Sequence, residues 1–166
     1  NVFGDSITAE DTMSLLVRYR TGVVLNYSLN AYLPREGLNI AFSGTRGRLE
    51  YKEDHLWSDT PGCNKKKGLR EFRSTLVMHP MFGDAYMVDI PKSKGAHGGG
   101  DLLLQDRIFS RVTSPDPWRR DAYQGQGAAS ALVGIAANRS FETGTPVRLD
   151  DLCPTLGEDK YLSEIE

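Results

Sequence analysis

Apolar and polar residues alternate near the start of the chain, with Leu16 and Val24 as exceptions, and predict two β-strands. Residues 12–20 and 23–32 are separated by Thr21 and Gly22, a connection short enough for a tight hairpin. Alternation with a period of two places every second side chain on the same side of a strand. The apolar side of this pair carries Met13, Leu15, Val17, Tyr19, Val23, Leu25, Tyr27, Leu29 and Ala31.

Two further runs continue the alternation. Residues 38–44 alternate apolar with polar or small residues, and a GTRG turn leads into residues 48–53. The four runs together predict an antiparallel meander with one apolar face. Strand-like runs follow at residues 69–78 and 84–91, after a loop that is rich in turn residues.

Apolar residues at helical spacing come after the strands. Residues 101–112 repeat an apolar residue every four positions, and residues 126–143 carry a stripe of small and apolar residues before the stop signal of Gly144 and Pro146. Strands first and helices last favour the α+β class, with an open-faced, mainly antiparallel sheet and helices packed on one face. The two helical stripes are Leu104, Ile108 and Val112, and Ala129, Leu132, Val133, Ala136 and Ser140.

On the second and third predicted strands, the other side of the sheet is unusual for a solvated surface, because it carries short, polar and neutral side chains. Such a face suits contact with another domain, a second subunit or a polar ligand, and a chance composition on a solvated face is the alternative. The residues concerned are Asn26, Ser28, Asn30, Asn39 and Ser43.

Composition narrows the class of protein. The 166 residues are 39% hydrophobic and 25% charged, and the net charge is −2, which gives no broad basic surface for nucleic acid. The basic run Lys65–Lys67 is interpreted as a solvated loop. The apolar runs are far shorter than the roughly 18 residues of a membrane span, so no membrane partner is expected.

The cysteines favour a cytoplasmic location. Cys63 and Cys153 are far apart and form no CxxC motif, which is typical of a reducing compartment. The sequence starts at Asn1 rather than methionine, which leaves an upstream signal open.

Several catalytic motifs are absent from the sequence. It contains no GxGxxG turn between a strand and a helix, no P-loop, no GxSxG and no HExxH. The histidines His55, His79 and His97 lack a convincing ligand spacing, so no metal site is predicted.

The segment HGGGD, from His97 to Asp101, is a candidate site. Asp101 is a plausible N-cap for a helix beginning at Leu102. Glycines before a helix leave backbone N–H groups open to anions or electron-rich oxygens, and a histidine can act as acid or base near neutral pH. Together these groups could hold a hydroxyl-rich substrate. The alternative is a hinge, a cap and an ordinary surface histidine.

An aromatic and basic cluster lies in the loop before the last long helix. Arginine can hold a carboxylate or phosphate with two hydrogen bonds, and aromatic rings stack on sugars. Surface packing explains the cluster equally well. Its members are Trp118, Arg119, Arg120 and Tyr123.

The ordered set of segments resembles a known family. The segments are YRTGVVLNYSLNAY, IAFSGTRGRLEY, HGGGDLLLQDRI and AASALVGIAANRSFETGTPVRLDDL, and they cover most of residues 12–152. They are similar to the C-terminal domain of the Gfo/Idh/MocA oxidoreductases, the glucose–fructose oxidoreductase and inositol dehydrogenase group, which has a dihydrodipicolinate reductase-like fold.

The resemblance implies a division of labour within a longer protein. Residues 1–153 would form a substrate-binding and oligomerisation domain and residues 154–166 a tail, while an N-terminal Rossmann domain outside this chain would hold NAD or NADP. Most catalytic residues would lie upstream of Asn1, and this chain alone would be inactive. The substrate would be a sugar, a polyol or a related molecule, and the expected binding residues are His97, Gly98, Gly99, Gly100, Asp101, Arg119 and Tyr123.

The resemblance also implies a homo-oligomer formed through the open sheet face that bears Asn26, Ser28, Asn30 and Asn39. Two alternatives remain open at this point. The same fold could serve an NAD-dependent glycoside hydrolase, or a non-catalytic carbohydrate-binding or assembly module.

Overall fold

The computed structural model describes residue 4 and residues 7–33, 35–57, 70–91, 97–110, 115–118 and 120–154. Its contacts divide the chain into a first unit, residues 1–31 with 114–166, and a second unit, residues 32–113. Several predictions fall outside the described residues, namely those for Cys63, Lys65–Lys67, Val112, Arg119 and the tail from residue 155. The predicted domain boundary at residue 153 stays a prediction.

The described elements are mainly antiparallel strands followed by helices. A 3-10 turn, His97–Gly99, leads into the first helix. In chain order the elements are β1 (Thr12–Arg18), β2 (Val24–Asn30), β3 (Glu36–Gly44), β4 (Gly47–Trp57), β5 (Arg70–Pro80), β6 (Tyr86–Met87), α1 (Gly100–Phe109), α2 (Gln124–Thr143) and α3 (Leu149–Leu152).

In the first unit, β1 and β2 form the predicted hairpin, but its loop spans residues 20–22, one residue more than the predicted Thr21-Gly22 connection. Its turn is closed by a hydrogen bond from the Tyr19 N–H to the Val23 carbonyl, 2.9 Å long, and Gly22 adopts a left-handed φ of 88°. Met13 pairs with Leu29 across the ladder, and facing residues of an antiparallel pair share a face. The apolar side predicted from the alternation is therefore confirmed.

Helix α2 buries the stripe predicted from its sequence. Ala136 is buried, with 7% of its surface exposed, and the other four stripe residues are half-buried. Helix α2 begins at Gln124, two residues before the predicted start, and ends where predicted: Gly144 has φ 66° and its N–H bonds the Ser140 carbonyl at 2.8 Å. Glycine supplies this left-handed C-cap without steric cost.

In the second unit, the strands form an antiparallel sheet in the order β3-β4-β5-β6. The ladder places alternate residues on two faces, which we call the apolar face and the polar face. The apolar face carries Leu38, Ile40, Phe42, Leu49, Tyr51, Leu76 and Met78, together with Glu36, Glu53 and His55; the polar face carries Asn39, Ser43, Arg48, Glu50, Lys52, Thr75 and His79.

The prediction of a single four-stranded meander is wrong. Strands β2 and β3 belong to different sheets, so Asn26, Ser28 and Asn30 lie on one sheet and Asn39 on the other. Alternation determines which side of a strand a residue occupies, but it does not determine which strand is the neighbour. The α+β class is confirmed: the described residues form two open antiparallel sheets with helices and no closed barrel.

The apolar positions of β3 and α1 are exposed. Leu38, Ile40 and Phe42 share a face as predicted, yet each is more than 40% exposed, and the helix residues Leu104 and Ile108 are about 60% exposed.

In the part of the chain that the structure describes, none of the helices combines the length and the apolar character needed to cross a bilayer.

Candidate functional site

His97 and Asp101, in the second unit, are in direct side-chain hydrogen-bonding contact. Nδ1 of His97 lies 2.9 Å from Oδ2 of Asp101 and 3.0 Å from Oδ1. The side chains are 83% and 46% exposed, respectively. The two residues that the sequence placed on either side of three glycines therefore meet across them.

The glycines make this contact possible through their backbone conformation. His97 has φ 49°, Gly98 has φ 63° and Gly99 has φ 85°. Such left-handed values disfavour most side chains, although histidine adopts them more often than average. A Cβ on Gly98 would meet no atom within 4 Å, so its φ rather than any lack of space accounts for glycine there.

The prediction that Asp101 caps the helix is wrong. The N-cap of α1 is Gly99, without a side-chain cap, and Asp101 lies within the first turn of a helix that begins at Gly100. The left-handed glycines complete the turn earlier than the sequence suggested. Asp101 is instead placed where the helix dipole stabilises a carboxylate and where its oxygens contact His97.

This geometry prepares His97 for proton exchange. An aspartate bound to Nδ1 favours the tautomer that carries its proton there, which leaves the lone pair of Nε2 directed elsewhere. The carboxylate also stabilises the imidazolium that forms when Nε2 accepts a proton. An exposed Nε2 in this state can accept a hydrogen bond, and then a proton, from a hydroxyl group.

The start of α1 does not fit the pyrophosphate of a dinucleotide. Phosphate binding at a helix N-terminus depends on open backbone N–H groups and an uncompensated dipole. Here Asp101 brings a negative charge to the first turn, and it would repel a phosphate. This argues against the anion-binding interpretation of the glycine run, and it leaves two interpretations: a site for a neutral hydroxyl group, or a hinge with an ordinary surface histidine.

Among the described residues, no group of three or more His, Cys, Asp and Glu side chains has the arrangement of a metal site.

Tyr123 lies in the first unit, at the N-cap of α2. Its backbone N–H donates to Oε1 of Gln126 at 2.9 Å, and its side chain is exposed. Arg119 lies outside the described residues. The expected roles of Tyr123 and Arg119 in substrate binding stay predictions.

The loop before α2 is organised by Asp116, which the sequence did not single out. Its Oδ2 accepts a 2.9 Å hydrogen bond from the Asp121 N–H, and Arg120 donates to its Oδ1 at 3.3 Å. These bonds, the Asp121 N–H first, lower the pKa of Asp116. Arg120, a member of the predicted aromatic and basic cluster, therefore stabilises the loop in which it lies through its hydrogen bond to Asp116.

A second polar network was missed by the sequence reasoning. On the apolar face, His55 Nδ1 lies 3.1 Å from Oε1 of Glu36, and its Nε2 contacts Oε1 of Glu53. The Tyr51 hydroxyl donates to the other oxygen of Glu53. That hydrogen bond, with burial second, raises the pKa of Tyr51.

The signal for this network was present in the hairpin register. Counting back from the GTRG turn pairs Glu36 with His55, nineteen residues apart in sequence.

The chain is similar to a curated protein of Bacillus subtilis (strain 168) named "Putative oxidoreductase YteT", with 33% identity over 154 residues. The similarity covers 91% of this chain and 34% of the relative, so the chain spans about a third of the length of the relative it matches. No family model and no solved structure matches the chain.

Proposed function

We propose that this chain is the substrate-binding and oligomerisation domain of an NAD(P)-dependent oxidoreductase of the Gfo/Idh/MocA type, acting on a sugar, a polyol or a related hydroxylated molecule. The observation that carries the proposal is the Asp101 carboxylate bound to Nδ1 of an exposed His97. Similarity to a protein named as an oxidoreductase over 91% of the chain supports the reaction class.

His97 receives the substrate hydroxyl in this proposal. The substrate hydroxyl donates a hydrogen bond to Nε2. When the carbon that bears this hydroxyl is oxidised, its hydride passes to the nicotinamide and the hydroxyl proton passes to a base. His97 is such a base, and Asp101 stabilises the resulting imidazolium. His97 and Asp101 are four positions apart, and one turn of backbone holds their side chains in contact. The orientation of the imidazole ring is therefore set before the substrate binds.

The nucleotide is held outside this chain in the proposal. The sequence has no GxGxxG turn between a strand and a helix, and Asp101 makes the start of α1 unsuitable for a pyrophosphate. The chain therefore contributes specificity and proton handling, and a Rossmann domain elsewhere in the full-length protein contributes the nicotinamide.

Oligomerisation would use the short polar side chains of the two sheets. Asn26, Ser28, Asn30 and Asn39 are all exposed, and neutral amides and hydroxyls cost less to desolvate than ions do. Because Asn39 lies on a different sheet from the other three, each sheet would present its own contact surface. Sedimentation of the full-length protein tests this proposal, and a monomer would contradict it.

The decisive experiment uses the full-length protein that contains this chain. Wild type and His97→Ala are assayed with D-glucose and myo-inositol and with NAD⁺ and NADP⁺, and reduced nicotinamide is followed by absorbance. We expect His97→Ala to lower kcat/KM by roughly 10²- to 10⁴-fold, the range of a positioned acid or base. The nucleotide Kd should stay unchanged, because His97 contacts the substrate.

Three outcomes contradict the proposal. One is an equal loss of kcat/KM and nucleotide affinity, and another is no loss of either. The third comes from a parallel assay with a glucoside as substrate: cleavage of the glycoside without net formation of reduced nicotinamide would indicate the hydrolase reaction on the same fold.

A further inference from the structure

A hollow of about 300 Å³ lies at the turn end of the four-stranded sheet. It is bordered by the β3–β4 turn and by the end of β5. This volume is at the lower end of the range for small-molecule pockets. The lining residues that matter here are Ser43, Gly47, Arg48, His79, Pro80 and Met81.

The walls of the hollow are fixed by backbone contacts. Ser43 pairs with Arg48, and Arg48 pairs with His79, so the three side chains stand in one row on the polar face. The Met81 N–H bonds the Arg46 carbonyl at 2.9 Å and ties the end of β5 to the turn. A Cβ on Gly47 would lie 2.3 Å from the His79 carbonyl oxygen, so only glycine permits this approach.

Four side chains at the hollow form a connected network, three of them from its lining and one, Glu50, beside it. Arg48 Nη1 donates to Ser43 Oγ at 2.7 Å, and Arg48 Nε donates to Glu50 Oε1 at 2.6 Å. The other Glu50 oxygen lies 3.5 Å from His79 Nε2. Among the described residues, no side-chain partner is found for Arg48 Nη2 or for His79 Nδ1.

The charges of this network balance. The Arg48 guanidinium offsets the Glu50 carboxylate, and the hydrogen bond from Arg48 keeps that carboxyl ionised by lowering its pKa. A phosphate or carboxylate ligand would gain from Arg48 but would face Glu50 at close range. The site therefore suits a neutral ligand with several hydrogen-bonding groups.

We infer that this hollow is a binding site for one neutral sugar or cyclic polyol, in addition to the site at His97. Hydroxyl groups both donate and accept: they accept from Arg48 Nη2 and donate to His79 Nδ1 and Glu50. The apolar C–H side of the ring lies against Pro80 and Met81. The inference does not depend on the proposed function, since it uses none of the residues of the His97 site.

The test is a titration of the ¹⁵N-labelled full chain with D-glucose, D-galactose and myo-inositol, followed by ¹H–¹⁵N NMR. We expect saturable shifts of the amides of Gly44, Gly47 and Met81 with at least one probe. Arg48→Met should raise the Kd of that probe by about tenfold, as expected when hydrogen bonds to a charged group are lost. Shifts confined to Gly98–Gly100 would overturn this inference while leaving the proposed function intact.

Lys52→Met is the matched control, because Lys52 lies on the same strand and face and loses the same charge. It should change the Kd by less than about twofold, given the small contribution of exposed ion pairs. No saturable shift with any of the three probes overturns the inference. An equal loss of probe affinity in Arg48→Met and Lys52→Met, with unchanged circular dichroism, also overturns it. Tighter binding of glucose 6-phosphate than of glucose does so as well.

Discussion

Arg20 Nη2 donates a hydrogen bond to Asp150 Oδ1 and so joins the β1–β2 turn to α3, across 130 positions of sequence. Arg148 donates to the other oxygen of Asp150 at 2.9 Å. One carboxylate thus fastens the first hairpin of the first unit to its last helix. Both arginines are more than 70% exposed, so the contact is open to solvent and salt.

This contact should make stability depend on pH in the acid range. The hydrogen bond from Arg20, then that from Arg148, lowers the pKa of Asp150 in the folded protein. The stabilisation is therefore present above the unfolded value of about 3.9 and is lost as pH falls through the lower folded value. We expect Asp150→Asn to remove this part of the acid dependence, measured by urea unfolding as a function of pH.

Asp151→Asn is the control for this prediction, since Asp151 is the next residue of the same helix and makes neither contact. Its unfolding profile should follow wild type. An unchanged acid dependence in Asp150→Asn would show that the contact with Arg20 does not form in solution.

Tyr51 should give a second pH dependence, at the alkaline end. Its hydroxyl donates to Glu53, and this bond raises its pKa in the folded state. The stabilisation is present below the unfolded value of about 10 and is lost as pH rises through the higher folded value. Tyr51→Phe should lower the free energy of unfolding at neutral pH by about 1 kcal/mol, the usual net value of one hydrogen bond.

The measurement is chemical denaturation from neutral to alkaline pH, with Tyr86→Phe as control because Tyr86 is an exposed tyrosine on the same sheet. The difference between wild type and Tyr51→Phe should shrink above pH 10 or so. A difference that stays constant with pH would contradict the bond to Glu53.

Local patterns in the sequence were sufficient where the structure depends on near neighbours. The alternation of residues 12–19 and 23–31 identifies the shared apolar side of β1 and β2, although the loop between them is one residue longer than the predicted Thr21-Gly22 connection. The spacing of Ala129 to Ser140 identifies the buried side of α2. Both follow from periodicity and short loops, which a single sequence carries directly.

Features that depend on long-range pairing or unusual backbone conformation were not accessible in this way. The separation of β2 from β3 leaves each strand's alternation unchanged, so the sequence could not indicate it. The start of α1 was misplaced because Gly98 and Gly99 adopt left-handed values that no periodicity reports. The contact of His55 with Glu36 follows only from counting the β3–β4 register back from the GTRG turn, and neither periodicity nor a motif indicates it.

Gly98 should be intolerant of a side chain although space is available for one. Its φ is 63° and a Cβ there would touch nothing within 4 Å. Gly98→Ala should therefore lower the free energy of unfolding by roughly 1–2 kcal/mol, the cost of a left-handed backbone in an L-residue. Gly100→Ala is the control: it also has open space, but it is the first residue of α1, so it should be neutral or slightly stabilising. Equal losses in the two variants would contradict the assigned turn.

Asp101→Asn tests whether Asp101 positions His97 or merely lies beside it. The asparagine keeps the size of the side chain, but it removes the charge that stabilises the imidazolium and can present its NH₂ group to Nδ1. In that orientation the proton moves to Nε2, and His97 can no longer accept a hydroxyl proton there. We expect kcat of the full-length protein to fall by at least about tenfold, while KM and the nucleotide Kd change little.

Asp106→Asn provides the matched comparison, because Asp106 is an exposed aspartate of the same helix and has no contact with His97. It should retain wild-type kcat, and Asp101→Glu should recover part of the activity by restoring the carboxylate. A rise in KM with unchanged kcat would mean that Asp101 affects only the shape of the substrate pocket. If Asp101→Asn kept full kcat, the tautomer of His97 would have no part in the reaction and His97 would be an ordinary surface histidine.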